Sequence, residues 1–200
     1  MKRLFFFMLL ISALAVPLFA QDNSDDDFNN DDTTFDEVYV YDSNGAGDRF
    51  LKINIGALFP LNFQNQLKTG GEVTIGFYRF FSNTIALGGE FSPTYNQSIG
   101  EKILVMFPIT VGIMFQPYIG KFEFPLLAEI GIANETWQNM EIFPTFVAKA
   151  SAGVYYRFTD SISVGFSTDF MWMPQWFIKD PSKNFNGLFE NAAINLRYHF

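Results

Sequence analysis

The stretch that decides the expected fold reads Ala-Ala-Ile-Asn-Leu-Arg-Tyr-His-Phe and runs from Ala192 to Phe200. Apolar and polar side chains alternate along it, and successive side chains of a β-strand point to opposite faces. In a soluble sandwich the apolar face would point inward, whereas in a membrane β-barrel it would face lipid and the polar face would line the lumen. The aromatic final residue, together with an export signal at the other end of the chain, favours the membrane barrel.

The first residues predict a secretory signal peptide over residues 1–20. Met1-Lys2-Arg3 is basic, Leu4 to Val16 is a short apolar run, and Leu18-Phe19-Ala20 is an imperfect cleavage site because Leu18 is bulky. The apolar run is too short for a comfortable membrane span. We expect cleavage after Ala20, and a retained N-terminal anchor is the alternative.

Residues 21–48 predict an acidic, disordered periplasmic tail. The segment holds ten carboxylates and no Lys or Arg, whereas the region from Arg49 onward has equal numbers of basic and acidic residues. Such a composition buries too little apolar surface to fold alone. Asp25-Asp26-Asp27 and Asp31-Asp32 suggest a calcium site, but no glycine occupies the sixth position that an EF-hand loop requires. The neutral body offers no basic face for nucleic acid.

Residues 49–200 predict an all-β fold, an eight-stranded antiparallel up-and-down transmembrane β-barrel. Each alternating run has about 10–13 residues, the length that a tilted strand needs to cross a bilayer. Short and long connections alternate, as in barrels with brief periplasmic turns and longer external loops, and the 26 Phe residues suit their aromatic girdles. The predicted strands are Arg49–Phe59, Gly71–Phe81, Thr84–Pro93, Ile103–Phe115, Phe122–Ala133, Phe146–Phe158, Ser161–Trp172 and Leu188–Phe200.

Nearly every charge in these strands falls on the face opposite the apolar residues, and therefore in the lumen. The interior of an eight-stranded barrel is only just wide enough for its own side chains. We expect the enclosed charges to pair, because an isolated charge in a low-dielectric interior is costly. The predicted lumen network consists of Lys52, Glu90, Glu123, Glu129, Lys149, Arg157, Asp169, Arg197 and His199.

The inward positions near the outer mouth are apolar, which predicts a path for a small hydrophobic molecule, since pockets for such molecules are mostly apolar. The segment from Trp172 to Ile178 is unusually apolar for a loop and would extend this path. The alternatives are a plugged mouth and an interfacial aromatic girdle. The predicted path consists of Leu58, Met106, Val147, Met171, Phe189, Trp172 and Trp176.

Three motifs resemble the OmpW family of small outer-membrane barrels. Phe115-Gln116-Pro117-Tyr118-Ile119-Gly120 is similar to that family's turn after the fourth strand, although Lys121 replaces its usual second glycine. Ala152 to Ser161 resembles the turn after the sixth strand, and Tyr198-His199-Phe200 resembles the family's ending. The resemblance implies the outer membrane of a diderm bacterium and passage of small hydrophobic molecules through an apolar channel. The last strand also resembles the C-terminal signal of outer-membrane barrels, which implies the barrel-assembly machinery as a partner.

Two functions are compatible with these features. The first is a passive conduit for small hydrophobic or amphipathic molecules, with such a molecule and outer-membrane lipid as partners. The second is a non-transporting surface barrel, structural, adhesive or host-contacting, with a plugged lumen. An enzyme is not expected, because the single histidine, His199, lies near the periplasmic end, away from any serine at the outer rim. One His, no Cys and dispersed carboxylates supply no transition-metal site, and we expect no cofactor.

Overall fold

The computed structural model describes residues 44–63, 67–98, 100–137, 140–175 and 184–200. The predicted signal peptide and most of the predicted acidic tail lie outside these residues. In the described ranges, no helix has the length and apolar character needed to cross a bilayer. The strands are β1 (Arg49–Pro60), β2 (Gly70–Phe80), β3 (Ile85–Phe91), β4 (Thr94–Gln97), β5 (Ile103–Phe115), β6 (Tyr118–Ile119), β7 (Phe122–Glu123), β8 (Leu126–Trp137), β9 (Met140–Thr159), β10 (Ile162–Gln175) and β11 (Phe185–His199).

These strands form one antiparallel sheet that closes on itself. Closure comes from β1 and β11, which pair from Phe50 opposite His199 to Pro60 opposite Phe189. β3 and β4 make up a single wall strand, because both pair with β2 and with β5. β7 and β8 likewise share β9 as a partner. The wall therefore has eight strands, and the predicted eight-stranded antiparallel barrel is confirmed.

The two faces of the wall have opposite polarity. On β1, Lys52 and Asn54 are 2% and 1% exposed, whereas Ile53 and Ile55 between and beside them are 47% and 67% exposed. The same alternation continues along the other long strands. An outer surface of exposed Ile, Val, Leu and Phe side chains is unfavourable in water and favourable against acyl chains. The exterior is therefore the lipid-facing surface that the sequence predicts.

The connections distinguish the two ends of the barrel. At the end that contains Phe200, β9 and β10 are joined by two residues and β2 and β3 by four. At the opposite end, longer connections follow β1 and β10, and the β8–β9 hairpin extends the wall itself. Because outer-membrane barrels have short periplasmic turns, the end with Phe200 is the periplasmic end. Aromatic rings lie on the exterior near both ends, with Phe77 beside Phe200 at one and Phe91 stacked on Phe107 toward the other.

Several strand limits differ from the predicted ones. The predicted loop from Asn134 to Thr145 is instead a hairpin, in which Glu135 pairs with Ile142 and Trp137 pairs with Met140. Its polar residues suggested a loop, but cross-strand pairing with β-formers overrides the local polarity. The third strand was predicted to end at Pro93, but after a break at Ser92 and Pro93 it resumes as β4 within the predicted loop from Thr94 to Lys102. Pro93 has no N–H to donate to a ladder, which accounts for the break.

The described residues 44–48 precede Arg49, the predicted start of the barrel. Asn44 is buried at the periplasmic end. The Gly47 N–H donates to the Phe80 carbonyl and the Phe80 N–H donates to the Asp48 carbonyl, both at 2.8 Å. The last residues of the predicted tail are therefore joined to β2.

Candidate functional site

Apolar side chains fill the outer end of the lumen, and we call this group the outer plug. They come from alternate positions on β1, β5, β8, β9, β10 and β11, together with Leu67. Phe63, in the connection after β1, packs its ring 4.9 Å from that of Phe189. The outer plug consists of Leu58, Leu67, Leu104, Met106, Ala133, Val147, Met171, Met173 and Phe189.

Five of the seven residues predicted to line a path lie in the outer plug, namely Leu58, Met106, Val147, Met171 and Phe189. Trp172 faces the other way, because its neighbours Met171 and Met173 both point inward. Its ring packs edge-on against Phe146 at 6.1 Å. Trp172 thus occupies the place of an interfacial girdle residue rather than of a mouth-lining one. Trp176 lies outside the described residues.

Charged side chains meet below the outer plug in what we call the central ion network. Glu90 accepts hydrogen bonds from Lys52 and from Lys149, the second at 2.7 Å. The Lys149 ammonium also lies 3.8 Å from a Glu72 oxygen and 3.9 Å from an Asp169 oxygen. All five residues are buried, and each ammonium is close to at least one carboxylate. This pairing offsets the cost of enclosing the charges.

Neutral polar groups complete the central ion network. The Asn191 amide donates to Glu72 and to Asp169, each at 3.0 Å. The Tyr78 hydroxyl lies 2.7 Å from Glu90 and 3.0 Å from Glu129. A phenol has one proton to donate. If that proton points to Glu90, the contact with Glu129 is a hydrogen bond only when Glu129 donates, that is, as a neutral carboxyl group.

A second charged group, the periplasmic ion layer, closes the other end of the lumen. Glu123 lies 3.3 Å from the Arg157 guanidinium and 3.4 Å from the Arg197 guanidinium. Arg197 also donates to the Gln116 side chain at 2.7 Å, and Arg157 donates to the Asn44 side chain at 3.0 Å. One carboxylate thus serves two guanidinium groups, and neutral acceptors take up their further donors.

Aromatic rings support this layer. The Arg197 guanidinium lies 3.5 Å from the centre of the Tyr155 ring and 4.7 Å from that of Phe50. Phe50 in turn stacks on Tyr78 at 5.0 Å. Cation–π contacts stabilise a desolvated guanidinium. The Arg197 guanidinium is therefore held by ring faces as well as by Glu123.

Little free volume separates the two ionic groups. A cavity lined by Lys52, Tyr78, Met114, Leu127 and Arg197, among others, measures about 10 Å³. That volume accommodates about one water molecule. In the described residues, the outer plug, the central ion network and the periplasmic ion layer thus place side chains at successive levels of the lumen.

Ser163 and His199 form a contact that the sequence did not suggest. The Ser163 hydroxyl lies 2.8 Å from His199 Nε2, the geometry of a nucleophile and its base. However, Ser163 is fully buried, and His199 Nδ1 has no hydrogen-bond partner in the described chain. The pair therefore lacks the third group that orients a catalytic histidine. No group of three or more His, Cys, Asp or Glu in the described ranges could hold a metal ion.

The structure brings most predicted network residues together, but it divides them between two groups. Lys52, Glu90, Glu129, Lys149 and Asp169 belong to the central ion network, and Glu123, Arg157 and Arg197 belong to the periplasmic ion layer. Sequence reasoning missed the polar residues that link them, which are Tyr78, Asn191, Gln116 and Asn44. Strand alternation could have identified Tyr78 and Asn191, because both occupy inward positions.

Solved structures with the same fold are outer-membrane barrels. Neisserial surface protein A superimposes with a TM-score of 0.63 at 9% identity, over 77% of this chain and 99% of that one. Ail, the attachment invasion locus protein of Yersinia pestis, gives 0.51 at 13% identity, over 77% and 99%. The outer membrane protein OprG from Pseudomonas aeruginosa gives 0.51 at 10% identity, over 80% and 98%. The chain therefore shares the fold of these outer-membrane barrels, and its exposed apolar exterior fits a wall that faces lipid.

Sequence comparison adds one curated relative and one family. An uncharacterised protein of Treponema pallidum (strain Nichols) is 28% identical over 146 residues, which cover 64% of this chain and 66% of that protein. The chain thus spans just under two thirds of the length of that relative. A protein-family model matches residues 13–198. Because the match covers most of the chain, the chain belongs to this family, which is itself uncharacterised.

Proposed function

We propose that the chain is a non-transporting outer-membrane barrel, which holds its outer hairpins on a packed and rigid wall. The observation that supports this proposal is the filling of the lumen by the outer plug, the central ion network and the periplasmic ion layer. A solute that passed along the axis would have to separate buried ion pairs. Loss of one partner of such a pair costs about 3–5 kcal/mol.

The outer hairpins are the part of this barrel that contacts its surroundings. β9 has 20 residues, whereas a tilted strand needs only about 9–11 residues to cross a bilayer. Its outer part, paired with β8, therefore continues beyond the lipid. Phe143 on this hairpin is 66% exposed. We therefore assign surface contact to the β8–β9 hairpin.

Solute flux through the reconstituted protein tests the proposal. We expect liposomes or planar bilayers with the wild-type chain to pass neither ions nor small hydrophobic solutes above the rate of lipid alone. The double variant Met171→Gly/Phe189→Gly, which removes two side chains of the outer plug, is the positive control for opening the mouth. Permeation by the wild-type chain at the rate of known channels would overturn the proposal.

A passive conduit for small hydrophobic molecules is the second candidate. It is favoured by the composition of the outer plug, because Met106, Met171 and Met173 have flexible, unbranched side chains that an apolar ligand could displace. The OmpW-like motifs imply the same activity. Wild-type uptake of a hydrophobic dye that is abolished by Met171→Trp would favour this candidate over the non-transporting barrel.

We also propose that the barrel-assembly machinery recognises the last strand. Phe200 exposes its ring on the lipid side, and its backbone pairs with Arg49, so it lies at the seam where the barrel closes. Phe200→Ala should reduce the amount of protein inserted into the outer membrane in cells. Insertion equal to that of the wild type would contradict this role.

The buried Ser163–His199 pair gives no support to an enzymatic role. We infer a structural function for it, at the seam between β10 and β11. Ser163→Ala should leave any activity of the purified chain unchanged. Loss of a hydrolytic activity on this substitution would reverse the inference.

A further inference from the structure

Two arginines on the lipid-facing side of the barrel have no partner within the described chain. Arg49 begins β1 and Arg79 lies near the end of β2, and both side chains are exposed. Neither guanidinium forms a hydrogen bond or an ion pair with the described residues, in contrast to Arg157 and Arg197 in the lumen. Among the outward-facing strand side chains that are described, the other charged one is Glu190, toward the outer end. The periplasmic rim thus presents two unpaired cations.

The backbone holds these two cations side by side. Arg49 is directly opposite Arg79 in the β1–β2 pairing. Arg49 exchanges both of its backbone hydrogen bonds with Phe200, so its N–H and C=O point toward β11. Arg49 and Arg79 therefore form a non-hydrogen-bonded pair, in which Cα atoms are about 4.5 Å apart and side chains are closest. Like charges that are directly opposed in a sheet are destabilising.

The surroundings of the pair place it at the depth of lipid headgroups. Arg79 lies between Phe77 and Phe81, which are exposed on the same face, and opposite Leu87 on β3. The Phe200 ring contacts the Phe77 ring at 6.3 Å. Aromatic rings of this kind mark the membrane interface. Two guanidinium groups among interfacial rings are thus within reach of the phosphates of the periplasmic leaflet.

We propose that Arg49 and Arg79 together bind the phosphate of an anionic phospholipid in the periplasmic leaflet. Each guanidinium presents parallel N–H donors that match two phosphate oxygens. A phosphate between them converts a repulsive pair into two charge-assisted contacts, while its acyl chains lie along the apolar side chains above. Lysine could supply the charge but not the planar pair of donors.

Lipid retention by the full-length chain tests the proposal. The protein in detergent is mixed with phosphatidylglycerol and phosphatidylcholine that carry the same acyl chains, and bound lipids are counted by native mass spectrometry. We expect the wild type to retain phosphatidylglycerol preferentially, and Arg49→Gln/Arg79→Gln to lower its apparent affinity about tenfold or more, as expected for lost hydrogen bonds to a charged group. Lys121→Gln is the matched control, because Lys121 is an exposed cation on a turn at the same end.

The outcomes separate this site from its competitors. Equal retention by the double variant and the wild type, with both folded by circular dichroism, would overturn the proposal. Displacement of the lipid by inorganic phosphate alone would overturn a lipid-specific site. The carboxylates of the predicted acidic tail, which precedes Arg49 in the sequence, are the alternative anions. A full-length chain with Asp25, Asp26, Asp27, Asp31 and Asp32 changed to Asn should bind lipid as the wild type does, and about tenfold tighter binding would instead identify the tail as the occupant.

A conservative variant keeps the test informative if the double variant folds poorly. Arg79→Lys preserves the charge but removes the planar donors, so it should retain less phosphatidylglycerol than the wild type and more than the double variant. If Arg79→Lys retained as much phosphatidylglycerol as the wild type, the positive charge alone would be sufficient for binding, and the bidentate contact would be overturned.

Discussion

The outer end and the middle of the lumen are stabilised in different ways, although the same strands build both. The outer plug is an apolar core, in which each contact contributes a little and neighbours can adjust. The central ion network depends on a few geometrically defined contacts, with Glu90 serving Lys52, Lys149 and Tyr78. The comparison suggests that substitutions in the plug loosen the barrel locally, whereas substitutions in the network leave buried charges without partners.

Glu90→Gln should have the largest effect, because it leaves two buried ammonium groups with one anionic partner fewer each. We expect a loss of about 4 kcal/mol in the free energy of unfolding, as for breaking a buried ion pair. Urea unfolding in detergent micelles or vesicles, followed by tryptophan fluorescence, measures it. A change below about 1 kcal/mol would show that the network contributes no more than exposed ion pairs do.

Leu58→Ala should rank second. Leu58 is fully buried in the outer plug, and a Leu→Ala change in a packed core costs about 2–5 kcal/mol. We expect about 3 kcal/mol from the same unfolding measurement, with some recovery if Phe63 or Met106 moves into the space. A loss greater than that of Glu90→Gln would show that the outer plug contributes more to the free energy of unfolding than the central ion network does.

Asn44→Ala should have a smaller effect, confined to the periplasmic end. It removes the 3.0 Å hydrogen bond from Arg157, and a hydrogen bond to a charged group contributes about 1.5–3 kcal/mol. We expect a loss of stability near the lower limit of this range, because Arg157 keeps Glu123 and the Asp160 carbonyl as partners. Hydrogen exchange should increase around Asp48 and Phe80 and stay unchanged in the outer plug. Increased exchange throughout the barrel would contradict a local role.

Glu129→Gln should have the smallest effect and is the matched control for Glu90→Gln. Both carboxyl groups contact the Tyr78 hydroxyl. Among the described residues, however, no ammonium group forms a hydrogen bond with Glu129. An amide can still donate to the Tyr78 hydroxyl, as a neutral carboxyl group would. We expect a change below about 1 kcal/mol. A loss equal to that of Glu90→Gln would show that Glu129 is needed as an anion.

The sequence predicts the wall of this barrel better than it predicts its interior. β5 matches its predicted limits, because its apolar run is bounded by Glu101-Lys102 at one end and by Gln116-Pro117 at the other. The orientation of Lys52 and Glu90 was also predicted, since alternation determines which side chains share a face. Pairing among the enclosed charges was predicted as well, but not that Lys52 pairs with Glu90, because the partner depends on the stagger between strands, which alternation does not specify.

The candidate site was also predicted only in part from the sequence, for a different reason. The apolar positions of the outer plug were identified, but whether they line a path or fill it depends on packing against Phe63 and Met173, which the pattern alone does not reveal. Likewise, Asn44 was assigned to the tail by its acidic neighbours, although its side chain is buried beside Arg157. Composition describes a segment on average and does not identify the one residue that binds elsewhere.

The length of β9 has a consequence for how the protein meets the cell surface. Twenty residues at about 3.3 Å each give a strand of about 66 Å. At a tilt of about 40° it stands about 50 Å tall, twice the apolar band of about 25 Å. A foreign peptide inserted between Trp137 and Met140 would therefore be displayed at a fixed height above the headgroups, which suits the barrel to the presentation of epitopes on intact cells.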